Sequence, residues 1–179
     1  MAEIHSARLR LRPVRLADAE AISAFTSDFD VARMTTRIPH PNSVEAVRAW
    51  LASLEGGPEH VFAANGGGKL VGVCSYRDST DPALGEIGYW IGEPYWGQDY
   101  ATEMTRALIR YIFQATGRSA IPISHFIDNS ASARVIAKCG FTPAGRRTLP
   151  CVSRGHDVVA LTYMLTRESA QAQPWYAGP

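Results

Sequence analysis

Most features that would mark a specialised environment are scarce in this sequence. Charge of one sign is lacking: 18 basic residues stand against 17 acidic ones in 179 residues, a net of +1. No global field draws the chain to a polyphosphate, so a nucleic-acid partner is not expected. Long apolar runs are missing as well. Stretches such as Leu70–Cys74 and Val158–Leu161 fall far short of the ~20 residues of a membrane-spanning helix, so no membrane partner is expected. Cysteine is rare, and Cys74, Cys139 and Cys151 form an odd set without a C-x-x-C pair, which fits a reducing compartment, the cytoplasm by default. The histidines His5, His40, His60, His125 and His156 are scattered, with no ligand spacing among them, so no metal is expected. The N-terminus alternates Arg8, Leu9, Arg10, Leu11, Arg12 and has no apolar block of signal-peptide length. The mature chain is therefore expected to start at or near Met1.

What is present is an ordinary globular composition, 46% hydrophobic and 20% charged, at a length that favours one domain and excludes disorder. Alternation from Arg8 to Val14 predicts a strand, and Leu16, Ala19, Ile22, Ala24 and Phe25 fall at helical spacing behind it. Residues 27–42 are irregular. Asn42, Ser43, Val44 and Glu45 then open a second helix with a capping pattern and carry it to about Leu54. His60–Ala64 and Lys69–Tyr76 read as strands about a turn at Asn65–Gly68, followed by a strand over Leu84–Ile91. A long amphipathic helix puts Met104, Leu108, Tyr111, Ile112 and Ala115 on one face and stops at Gly117. The remainder predicts a strand at Ile121–Ile127 broken early by Pro122, a helix at Asn129–Cys139 closed by Gly140, strands at Phe141–Arg147 and Asp157–Leu165, and a polar tail over 168–179. This order predicts an α/β fold in which a mixed sheet carries helices on both faces.

Chemistry is best sought between Gly88 and Glu103. A strand that runs through a loop into a helix offers free backbone amides and the positive end of the helix dipole, which suit a phosphate or pyrophosphate. The plain alternative is a strand-to-helix turn without a ligand. Other phosphate motifs fail: there is no G-x-G-x-x-G, and Gly68–Lys69 lacks the flanking residues of a Walker loop.

The run Ile87–Glu103, together with Asp128-Asn129-Ser130-Ala131-Ser132-Ala133-Arg134-Val135 and the Lys138-Cys139-Gly140-Phe141 that follows, resembles the GNAT N-acetyltransferases of the RimJ/RimL-like branch over nearly the whole chain. The resemblance implies a GNAT-like acetyltransferase domain over residues 1–167. Its central sheet would be mostly antiparallel and mixed, opening in a V-shaped splay. It also implies a coenzyme A site, with acetyl-CoA as cosubstrate. By resemblance the pyrophosphate loop falls on Trp96, Gly97, Gln98, Asp99, Tyr100 and Ala101, Thr102 begins the helix behind it, the pantetheine arm uses backbone groups near Trp90 and Ile91, and Asn129 and Ser132 sit beside the thioester.

Two positions depart from the family pattern. Asp99 replaces a glycine, so a carboxylate faces a pyrophosphate at a position that favours glycine torsions, and weakened rather than abolished binding is expected. Trp96 stands where Gln or Arg is usual.

Acetyl transfer needs a base for the amine and a proton for the departing thiolate. Glu86 is the candidate base, against a solvated strand carboxylate. Ser132 is the candidate acid, against a first-turn helix serine that only bonds backbone. The acid tyrosine of related enzymes corresponds to Ile136, which closes that route. His125 is the candidate substrate contact, against a structural histidine. Cys139 and Cys151 lack a histidine partner and are expected to be inert. Three functions follow: acetyl transfer to a protein N-terminus or a small amine, an impaired GNAT domain that binds coenzyme A or a partner without turnover, and a nucleotide-binding domain of another class. A monomer and a homodimer are equally compatible with the sequence.

Overall fold

The computed structural model describes residues 3–77 and 86–178. Two short strands, β1 (Ile4–His5) and β2 (Leu9–Pro13), lead through a 3-10 turn at Leu16–Asp18 into α1 (Ala19–Thr26) and the single turn α2 (Phe29–Ala32). Next come α3 (Val44–Ser53), the hairpin β3 (Glu59–Gly66) and β4 (Lys69–Arg77), β5 (Ile87–Ile91), a 3-10 turn at Glu93–Tyr95, and the long helix α4 (Tyr100–Ala115). The chain continues through β6 (Ala120–Phe126), α5 (Ser130–Cys139), β7 (Thr142–Cys151), a 3-10 turn at Val152–Arg154, β8 (His156–Thr166) and α6 (Arg167–Gln171). The described strands form one sheet in the order β1-β2-β3-β4-β5-β6-β8-β7. Neighbours are antiparallel except β5 and β6, which run parallel.

Residue parity builds the layers. In β3, Val61 and Ala63 face one side with α1 and α3, through Ala19, Ile22, Val47 and Leu51. Phe62 and Ala64 face the other side with α4 and α5, through Met104, Leu108, Ile112 and Ile136. A central strand buried on both faces is what a three-layer arrangement requires. Near the first layer, Arg12 donates two hydrogen bonds to Asp18, at 2.8 and 2.6 Å, and the Arg15 amide donates a third at 2.8 Å. Burial pushes the Asp18 carboxyl up, but these hydrogen bonds and the Arg12 charge outweigh it and hold the group below its ordinary value.

The structure corrects several element readings. Leu16 and Ala24 are exposed although their spacing matched a helix face, and so is Ala115. The β3–β4 turn is carried by Gly67 and Gly68, both with positive φ as a two-residue hairpin of primed type requires, while Asn65 and Gly66 belong to β3. α4 closes without a left-handed glycine: the Thr116 hydroxyl and amide both donate to the Ile112 carbonyl. Gly140 does take the left-handed role, at φ 86° after α5. Pro122 sits inside β6, opposite Met164 of β8, and it is accommodated because the strand's other flank is largely unpaired. Of the strand expected over Leu84–Ile91, Leu84 and Gly85 lie outside the described residues. The expected polar tail contains α6, buries Ala170 and packs Trp175 and Tyr176 on the core. No described helix is long and apolar enough to cross a membrane.

Candidate active site

The sheet opens at its centre. β5 pairs with β4 over five residues, from Gly72 opposite Ile91 to Tyr76 opposite Ile87, and β6 pairs with β8 over seven. Between β5 and β6 a single register pair survives, Ile87 with Ile123. The Gly92 amide donates to the Val71 carbonyl at 2.9 Å, and this fixes strand parity. Gly88, Trp90 and Gly92 turn their backbone groups toward β4, so Tyr89 and Ile91 turn theirs into the gap. Of the two positions expected to offer backbone groups, Ile91 therefore does so and Trp90 does not; Tyr89 takes that place. The Trp96 indole N–H donates to the Ile91 carbonyl at 2.7 Å, using one acceptor of the open edge.

The gap is part of a cleft of about 1170 Å³ that runs from Gly97 and Asp99 at one end, past Tyr89 and Ser132, to the loop at Arg33–Pro39. At the first end, Gly97 (φ 74°) and Asp99 (φ 63°) both adopt left-handed torsions. Asp99 is the one described non-glycine residue with positive φ, in the conformation that asparagine and aspartate tolerate best. No turn or cap bond among the described residues uses the amides of Gly97, Gln98, Asp99, Tyr100 or Ala101. The first-turn amides of α4 have no intrahelical acceptor by geometry. The loop and helix start thus form a concavity of donors at a positive dipole end.

The Asp99 carboxylate is not loose. Its Oδ1 accepts from the Thr102 hydroxyl at 2.8 Å and from the Lys138 ammonium at 2.8 Å. The Lys138 hydrogen bond, followed by that of Thr102, holds the carboxyl below its ordinary value. The Gln98 side chain reaches only the Pro94 carbonyl, at 3.4 Å, and the Tyr100 ring is covered by the Arg8 guanidinium at 4.6 Å.

At the middle of the cleft, the Asn129 side-chain oxygen accepts from the Ser132 amide at 3.0 Å and caps α5. That cap sets the Ser132 hydroxyl 2.7 Å from the Tyr89 hydroxyl. Burial drives the Tyr89 phenol well above its ordinary value, partly offset by the Ser132 bond, so it stays protonated at neutral pH.

Glu86, one residue before β5, accepts hydrogen bonds from Ser124 on β6 and Arg147 on β7. A carboxylate has about four lone-pair sites, so this one keeps capacity for another donor. Glu86 and Ser132 line the same cleft without a hydrogen bond to each other. His125 also lines it, but its Nδ1 bonds the Phe126 carbonyl at 2.7 Å and its Nε2 the Tyr163 hydroxyl at 3.2 Å, so both ring nitrogens are engaged within the fold. Ile136 is fully buried.

The far end is held by the β7–β8 tip. Arg154 donates to the Arg33 carbonyl at 2.7 Å and to both oxygens of Asp128 at 2.8 and 3.2 Å, and the Val152 amide donates to the Thr36 carbonyl at 3.2 Å. No group of three or more metal-ligating side chains occurs among the described residues.

Sequence reasoning missed Tyr89, Ser124, Arg147 and Lys138. Only strand parity exposes Tyr89, and the other three come from elements distant in sequence.

The family model for the acetyltransferase (GNAT) domain matches residues 8–142. Among curated proteins, the chain is similar to the uncharacterized N-acetyltransferase YoaA of Bacillus subtilis (strain 168), 31% identical over 144 residues, covering 77% of this chain and 81% of that protein. It is also similar to the SPbeta prophage-derived uncharacterized N-acetyltransferase YokL of the same organism, 26% identical over 159 residues, covering 87% and 89%. Among solved structures, Mycobacterium smegmatis RimJ in complex with CoA-disulfide superposes with a TM-score of 0.81 at 22% identity, covering 93% of this chain and 88% of that one. That likeness bears on the fold. The splayed sheet, the helices on its two faces and the family match agree, and the chain belongs to the GNAT acetyltransferase family, as an N-acetyltransferase.

Proposed function

We propose that this protein transfers the acetyl group of acetyl-CoA to a primary amine, a protein N-terminus or a small-molecule amine, by direct attack in a ternary complex. The observation that carries this reading is the gap between β5 and β6 with an amide-lined concavity at its end. The residues present fit such a carrier. Amides from Gly97 to Thr102 suit a diphosphate, the backbone edge at Tyr89 and Ile91 suits the amides of an extended arm, and the cleft of about 1170 Å³ exceeds the roughly 300–1,000 Å³ of typical ligand pockets, leaving room for a carrier beside an acceptor. When bound, acetyl-CoA supplies an acyl group activated as a thioester.

This chain's own residues supply the rest. Glu86 takes the proton that the attacking nitrogen gives up, directly or through a water; a free α-amino group, with an ordinary pKa of about 8, loses it readily. Ser132, aligned by the Asn129 cap and hydrogen-bonded to Tyr89, gives a proton to the departing sulfur and is resupplied through the phenol, which regains its own proton from solvent in the cleft while Glu86 releases the amine proton to solvent. One proton thus leaves the amine and one reaches the thiol, and no covalent enzyme intermediate is needed. His125 holds the wall beside the acceptor and serves packing rather than contact through nitrogen. Three free, buried cysteines support the cytoplasm as the site of action.

The test is acetyl-CoA turnover, followed as free thiol, against a panel of peptides and small amines, beside thermal unfolding with and without coenzyme A. Ligand at about 100 times its dissociation constant adds ~2.7 kcal/mol, equivalent to a rise of about 5–10 °C for a domain of this size. Turnover on an amine supports the reading. Stabilisation without thiol release across the panel would favour the impaired-domain alternative, which the Asp99 carboxylate in the loop makes worth testing. Stabilisation by ATP or NAD but not by coenzyme A would point to the nucleotide-binding class.

A further inference from the structure

A carboxylate at the mouth of a diphosphate site opposes its ligand, because like charges a few ångströms apart repel even when partly screened. Asp99 stands in that position, in a left-handed turn that lines the cleft and whose amides no described turn or cap bond uses. Its surroundings are cationic. Lys138, the penultimate residue of α5, places its ammonium 2.8 Å from Asp99 Oδ1. Arg134 lies one helical turn earlier on α5, and both side chains line the same cleft as Gly97 and Asp99. Arg106 of α4 donates to the Lys138 carbonyl at 2.6 Å and so ties the end of α5 to α4 beside the pair. Thr102 fixes the same carboxylate oxygen from the first turn of α4. The carboxylate is therefore held in one place, with a partly exposed lysine bound to it.

We propose that Lys138 is a cofactor-phosphate residue whose role depends on Asp99: it neutralises the carboxylate and presents a positive charge to the incoming diphosphate, so the two residues act as one unit. This rests on the coenzyme A reading above and deepens it. Asp99 serves as the anchor that keeps a long, flexible lysine at the loop before the ligand arrives, and Lys138 makes an otherwise repulsive aspartate tolerable. A glycine at position 99 would need no such partner.

The arrangement predicts a thermodynamic coupling between the two side chains in coenzyme A affinity. Lys138→Met in the native background leaves Asp99 unpaired beside the phosphates and is expected to weaken coenzyme A binding, measured by titration calorimetry, by about tenfold or more. Asp99→Gly alone removes the repulsion and the need for a left-handed aspartate, and is expected to tighten binding. In the Asp99→Gly background, Lys138→Met is expected to cost less than about threefold, since no stranded carboxylate remains. Lys138→Arg restores most of the native affinity because the charge, not the ammonium shape, is required. Lys138 is half exposed, so all variants are expected to unfold at nearly the native temperature in the absence of ligand, which separates a binding role from a structural one.

Equal losses from Lys138→Met in both backgrounds would overturn the coupling, as would unchanged affinity on Lys138→Met in the native background. Loss of affinity that follows a lowered unfolding temperature, without rescue by Lys138→Arg, would assign Lys138 a structural role and overturn the proposal as well. If the native protein itself shows no heat of binding with coenzyme A, the functional reading fails first, an outcome distinct from native binding that Lys138→Met leaves intact.

Discussion

At the scale of single residues, the assignment of chemistry rests on three side chains with different surroundings. Glu86 is braced by Ser124 and Arg147, so replacing it removes charge and leaves Arg147 with a weaker partner. Glu86→Gln is expected to lower kcat/KM about 100-fold. An unchanged kcat/KM would remove Glu86 from the role of base. Ser132 and Tyr89 share one hydrogen bond and should behave as a unit. Ser132→Ala and Tyr89→Phe are each expected to lower kcat at least tenfold with little change in KM, and the double variant to be no worse than the poorer single one. Additive losses would mean that the two hydroxyls act separately. Asn129 and Ser132 could be named from the sequence because the family's N-x-x-S motif is local, spanning four residues, and the structure adds that Asn129 caps α5 through the Ser132 amide. Tyr89 could not, since its neighbour lies 43 residues away and its direction depends on strand parity. The Asp99–Lys138 contact spans 39 residues and depends on how α4 and α5 cross, which no local pattern encodes.

At the scale of elements, most strands and helices were legible because alternation is strong in β2, an apolar run marks β4, a capping pattern opens α3 and helical spacing is strong in α4. The failures have common physical causes. Thr116 competes successfully with Gly117 by giving its own hydroxyl to the Ile112 carbonyl in the last turn of α4. Pro122 survives in β6 because the sheet is open on that strand's flank. The apparently polar end of the chain is drawn in by Ala170, Trp175 and Tyr176, too few and too dispersed to register as a periodic face. The Arg12–Asp18 pair, which fastens β2 to the turn before α1, is buried on both sides, at 8% and 7% exposure. Asp18→Asn is expected to cost about 3–5 kcal/mol at pH 7, because it strands a buried guanidinium. The folded Asp18 carboxyl lies below its unfolded value of roughly 3.9. Its contribution is therefore complete above that value and is lost as pH falls through the lower, folded one. Urea unfolding should show the gap between native protein and variant narrowing toward pH 3; a constant gap would refute the linkage.

At the scale of the whole molecule, direct transfer predicts that no thiol takes part. Cys74, Cys139 and Cys151 are all buried. Burial pushes the Cys74 thiol far up and the Cys139 thiol to about 12, and Cys151 is committed to the Thr35 and Arg33 carbonyls at 3.3 and 3.5 Å. Iodoacetamide at neutral pH is expected to leave the folded protein unmodified and active, with three adducts appearing only after unfolding. Rapid stoichiometric inactivation would instead indicate a covalent acetyl-cysteine route.

The break between β5 and β6 has one more consequence. An unpaired strand margin on the outside of a sheet invites neighbouring molecules to add on and clump. Here the unsatisfied margin lies in the middle of the sheet, bounded by α4 and α5 and pinned shut at Ile87 and Ile123. A slender, flexible chain can thread such a slot, whereas a strand belonging to another folded protein, thickened by its own neighbours, cannot. The fold thereby keeps an unsatisfied strand edge in its centre without offering a neighbouring molecule a seed for self-association.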